Sequence, residues 1–97
     1  MKYKIKLTCY DYGCPVPYED EVEKRFKTYD KAYAAVQQCV LEELQCLNDD
    51  EGMTLDDVDC DKYNYRADFD GNASAIVRFW DGDDYMTITI YEIEEVQ

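Results

Sequence analysis

Residues 2–10 alternate strictly. Tyr3, Ile5, Leu7 and Cys9 occupy one set of positions, and Lys2, Lys4, Lys6 and Thr8 the other. A period of two with one apolar face predicts a half-buried strand. Residues 11–20 hold Gly13, Pro15 and Pro17 and predict a loop. Residues 21–27 place Val22 and Phe26 on one face with charges opposite, which predicts a weaker strand paired with the first as a long-looped hairpin. The period then changes. Tyr33, Val36, Val40, Leu44 and Leu47 recur at spacings of three and four, one face of a helix over 29–47. Thr28 sits where an N-cap belongs and Asp30 near the positive end of the helix dipole. Asn48, Asp49, Asp50, Glu51 and Gly52 end the helix in a solvated acidic loop.

Residues 53–61 have no clear period, although Leu55 and Val58 suit a short helical turn pinned to the core. Three alternating runs follow. Tyr63, Tyr65, Ala67 and Phe69 form the first, Ala75, Val77 and Phe79 the second, and Met86, Ile88 and Ile90 the third. Asp70-Gly71-Asn72 and Asp81-Gly82-Asp83-Asp84 separate them, and Asp-Gly turns between alternating runs are a strong hairpin signal. The order is β-β-α-β-β-β with a C-terminal three-stranded meander. It implies a single α+β domain over residues 1–97, with one long helix packed on an antiparallel sheet. Ten tyrosines supplement a modest aliphatic content, since each can bury a ring and leave its hydroxyl wet.

Charge sharpens this picture. The net charge is −13 over 97 residues. Residues 1–48 are nearly balanced, with eight acids against seven bases, whereas residues 49–97 hold fifteen acids against three bases, Lys62, Arg66 and Arg78. Such a surface repels nucleic acid and anionic membrane and attracts basic proteins. No apolar run approaches the roughly 18 residues of a membrane span. The N-terminal segment lacks the continuous apolar stretch of a signal peptide, so the expected location is cytoplasmic. An odd cysteine count fits reduced thiols there: Cys9, Cys14, Cys39, Cys46 and Cys60. Their spacing does not give the close pairs of a zinc site, and there is no histidine to complete one.

The missing residue types argue against catalysis. With no histidine and a single serine, Ser74, neither a Ser-His-Asp nor a Cys-His arrangement can be built. No phosphate-cradling glycine motif occurs, and the expectation is a non-enzyme without cofactor. Asp57, Asp59, Asp61 and Asp68 match positions 1, 3, 5 and 12 of a calcium loop. Lys62 stands where that loop requires glycine, so a solvated acidic segment is expected and no metal site.

What remains is binding. Carboxylates two apart on a strand lie about 6.5–7 Å apart on one side, close to the spacing of neighbouring phosphates. In length, acidity and helix-plus-meander pattern the chain resembles small acidic phage and mobile-element proteins of the anti-CRISPR type. That resemblance implies a nucleic-acid mimic, an inhibitor that fills the basic cleft of a nucleic-acid-binding protein. On this reading the contacts come from Asp57, Asp59, Asp61, Asp81, Asp83 and Asp84, with Trp80 and Tyr85 as anchors. The alternative is an accessory module that forms a homodimer, or joins a complex, through an exposed aromatic sheet face drawn from Tyr63, Tyr65, Trp80, Tyr85 and Tyr91.

Overall fold

The computed structural model describes residues 2–11, 16–69, 74–81 and 84–96; at 81 and 84–86 it describes the backbone alone. The elements are β1 (Lys2–Asp11), β2 (Tyr18–Glu21), α1 (Tyr29–Leu47), a 3-10 turn (Leu55–Asp57), β3 (Tyr65–Asp68), β4 (Ala75–Asp81) and β5 (Asp84–Val96). The strands form one antiparallel sheet in the order β2-β1-β5-β4-β3. The fold is thus α+β with the expected element order. β5, last in the chain, lies at the centre of the sheet and joins the N-terminal hairpin to the meander.

The period-two pattern assigns the faces. Leu7 pairs with Tyr91, and Tyr91 in turn with Ala75; Cys9 pairs with Thr89, Val77 and Ala67 follow across the sheet. These residues look toward α1. The helix meets them with Ala32, Val36, Val40 and Leu44, each fully buried. Their uniform spacing of four makes a stripe narrower than the sequence suggests. Tyr33 is half-buried, and Leu47 is 41% exposed, because it lies to one side of the 32-36-40-44 stripe that Asn48 continues. At the other helix end, the Lys31 N–H donates to the Thr28 side-chain oxygen at 3.2 Å, the expected N-cap.

Three boundaries differ from the sequence pattern. β2 spans Tyr18–Glu21, earlier in the chain than the expected strand at 21–27. After Val22, whose N–H still reaches the Ile5 carbonyl, the chain bends, and the Arg25 guanidinium holds the bend by donating to the carbonyls of Val22 and Glu23. It returns only as a single bridge between Phe26 and Tyr3. β3 starts at Tyr65 because the Tyr63 N–H is taken by the Cys60 carbonyl in a turn. In the 53–61 segment the anchors are Met53 and Val58, both buried, while Leu55 is 41% exposed. This segment also covers the outer edge of β3, where the Ala67 N–H donates to the Val58 carbonyl at 2.8 Å. Covering an edge removes a template for stray strand pairing.

Helix α1 ends without glycine. Asp49 takes a left-handed backbone, φ 53°, and the N–H groups of Asp49 and Asp50 return to the carbonyls of Cys46 and Gln45. This is the Schellman pattern, which satisfies carbonyls that the helix leaves open. Asn48 then clasps β3, accepting from the Tyr65 N–H and donating to the Tyr65 carbonyl. Among the described residues no helix is long and apolar enough to cross a membrane.

Candidate functional site

The topology collects acidic residues at one end of the molecule. β1 ends there, β4 turns into β5 there, and the helix C-terminus is tied there through Asn48 and Tyr65. The Trp80 N–H donates to the Asn64 carbonyl at 2.7 Å, joining the loop after α1 to the end of β4. Asp49, Glu51, Asp56, Asp59 and Asp61 are exposed around the helix C-terminus and along the β3 edge. The last helical turn has no basic residue, so the negative end of the helix dipole adds to these charges.

The expected contact residues divide into distinct groups. Asp59 is exposed and borders two shallow depressions of about 320 and 290 Å³ on either side of the β3 edge. Asp61 is almost fully exposed yet pairs with Arg66 at 2.7 Å. Asp57 is half-buried, and one of its carboxylate oxygens accepts from both the N–H and the hydroxyl of Thr54, so it braces the 3-10 turn. Asp81 and Asp84 stand opposite each other at the junction of β4 and β5; their side chains, and the whole of Asp83, lie outside the described residues. Tyr85 is paired with Trp80 through the backbone, and its side chain also lies outside them.

Trp80 is half-buried, with the Arg66 guanidinium 4.2 Å and the Arg78 guanidinium 5.7 Å from its ring centroid. Arg78 in turn pairs with Asp68 at 2.8 Å. Two of the three bases in the acidic half are therefore committed to one tryptophan and two aspartates. Arg66 and Arg78 are direct cross-strand neighbours. Like charges so placed repel unless aromatic and acidic groups stand beside them. Their role was not legible from sequence, because it depends on the register between β3 and β4.

Tyr63, Tyr65, Phe79 and Tyr91 turn inward. Tyr91 is 4% exposed and donates to Glu43 of the helix. Burial holds the Glu43 carboxyl above its ordinary range, and burial with the Glu43 partner pushes the Tyr91 hydroxyl well above its own. Tyr63 is 9% exposed and donates to Asp50, which holds that carboxyl below its ordinary range. Tyr65 packs beside Phe79, ring centroids 4.5 Å apart. The face away from the helix is instead centred on Ile76, Ile88 and Ile90, so the aromatic residues expected on an open face mostly line the core.

Asp57 and Asp61, two of the matches to a calcium loop, are engaged with Thr54 and Arg66. Among the described residues no group of three or more candidate ligands is placed to hold a metal ion. Comparison with known proteins finds no matching family model, no matching curated protein and no matching solved structure.

Proposed function

We propose that the protein is a non-catalytic cytoplasmic binder that uses its acidic end to occupy a basic nucleic-acid-binding site on another protein. The observation that carries this reading is the gathering of exposed carboxylates around a helix C-terminus with no compensating base in its last turn. β4 and β5 meet at the same end, where Asp81 and Asp84 pair through the backbone, and on this reading Asp81, Asp83 and Asp84 add to the contacts. Asp49 and Asp50 are fixed in their backbone by the hydrogen bonds that close the helix, which limits the ordering cost of association there. The free protein repels DNA and RNA, since both carry the same sign of charge.

Asp59 and the β4–β5 acids are the main contacts in this reading. Asp61 contributes less net charge, because Arg66 stands against it. Trp80 serves as a platform for two arginines rather than as a detached anchor.

The test is affinity capture from host lysate at low and high salt, followed by competition with nucleic acid for the purified partner. A basic nucleic-acid-binding protein, displaced by DNA or RNA and released by salt, is the expected result. Replacing Asp59, Asp81, Asp83 and Asp84 by Asn is expected to slow association, because long-range charge sets the encounter rate. Capture only of proteins without a nucleic-acid site, or unchanged association of the Asn variant, refutes the proposal.

A further inference from the structure

The sheet face turned away from α1 differs in charge from the rest of the molecule. Alternation places Lys2, Lys4 and Lys6 of β1 on it, together with Arg66 of β3 and Arg78 of β4. The acids of the same face are Glu19 and Glu21 of β2, Glu92 and Glu94 of β5, and Asp68 of β3. Five bases thus stand against five acids, in a chain whose net charge is −13. The centre of the face is apolar. Ile90 and Ile76 are cross-strand partners, and Ile88 lies between Tyr10 and Arg78. Tyr10 is 47% exposed.

We infer that this face pairs with the same face of a second copy, giving a two-fold dimer. Charge selects the occupant. A strongly basic partner gains little from a nearly neutral face, and a strongly acidic one is repelled by the whole molecule. The face is also polarised across the strands. The β2 edge carries Glu19 and Glu21, the second of which also pairs with Lys4 and Arg25, and the β3–β4 edge carries Arg66 and Arg78, paired with Asp61 and Asp68. A two-fold axis parallel to the strands and passing through β5 lays the β2 edge of one copy over the β3–β4 edge of the other. Glu19 of each copy then meets the arginines of the other, and the isoleucines meet at the centre. Each arginine has donors left for this, since only one nitrogen of each takes part in its internal ion pair.

The area is sufficient for a weak dimer. At about 3.3 Å per residue and 4.8 Å between strands, the five strands present about 600 Å². Two copies then bury about 1,200 Å², the lower bound for specific interfaces. The same axis points both acidic ends in one direction and leaves the β4–β5 end of each copy uncovered, while Asp59, which shares a depression with Arg66 and Trp80, lies at the rim of the interface. Two chains of −13 repel at long range. Screening that repulsion strengthens self-association, the reverse of the salt effect expected for a basic partner.

Sedimentation velocity across the micromolar range, at low and high salt, tests the inference. A monomer–dimer equilibrium that tightens with salt is expected. Tyr10→Lys and Ile90→Lys each weaken it about tenfold or more. Because Ile90→Lys can disturb folding, the exposed Tyr10 variant is decisive, with its melting curve unchanged. Arg78→Glu weakens the dimer, and Glu19→Arg in the same chain partly restores it, which tests the orientation. A chain that stays monomeric at every concentration, or a dimer indifferent to Tyr10→Lys, overturns the inference. The Tyr10→Lys monomer retains its acidic end, so its binding to a basic partner tests the proposed function separately.

Discussion

Val40 and Leu47 lie on one helical face by spacing, yet the structure separates them. Val40 is fully buried between α1 and the sheet, and Leu47 is 41% exposed. Val40→Ala removes two methylene equivalents from the core, about 1.6 kcal/mol at roughly 0.8 each. The void left behind adds to this and carries the loss toward about 3 kcal/mol where neighbours cannot collapse. Alanine's better helix propensity returns about 0.5 kcal/mol. The net loss is therefore about 1–2.5 kcal/mol. With a urea slope of about 1–1.5 kcal/mol/M for a small domain, the midpoint falls by about 1–2 M. Leu47→Ala is expected to cost less than about 1 kcal/mol, because its side chain is already partly in water. Parallel urea melts followed by circular dichroism decide the matter. Equal losses at both positions would mean that the helix buries the broad stripe suggested by spacing alone, and the assigned packing would be wrong.

Asn48→Ala removes both bonds that clasp the helix end to Tyr65 and leaves part-buried backbone groups unmet; a loss of about 1–3 kcal/mol is expected in the same melt. Asp49→Gly relieves a left-handed backbone at a non-glycine residue and removes a negative charge from the negative end of a helix dipole, so it is expected to raise stability by about 0.5–1 kcal/mol; an unchanged or lower midpoint counts against the Schellman ending. Glu43→Gln keeps an acceptor for Tyr91 while removing the titration. The Glu43 carboxyl is raised in the folded state, so its contribution is fully present below the unfolded pKa and is lost as pH rises through the folded value. The Gln variant is accordingly expected to gain stability relative to the parent between acid and neutral pH, read from urea midpoints across that range; identical profiles would show that burial does not raise the Glu43 carboxyl.

Local pattern was enough for β1, α1, β4 and β5 because each rests on a short-range rule. The switch of apolar spacing from two to three and four locates α1, and Thr28 marks its start by what its side chain can accept. Alternation and Asp-Gly turns locate β4 and β5. Asp11 and Tyr18 were hidden as strand ends, because the Gly and Pro residues between them signal a loop without saying how far the ladder runs on either side. The departure at Val22 depends on Arg25 reaching back to two carbonyls, which no periodicity records.

The site divides in the same way. Composition alone established an excess of acid in the second half and the lack of histidine-based chemistry. Which carboxylates remain available was decided by tertiary structure, through contacts between residues distant in sequence or in neighbouring turns. Arg66 and Arg78 become neighbours only through the β3–β4 register, and that register brings them to Trp80 and Asp68. Tyr91 faces Glu43 only because β5 inserts between β1 and β4. Alternation shows that a strand has two faces. Which face is covered, and which is left nearly neutral and open, follows from where the single helix packs, and that is settled by the closure of the sheet around β5.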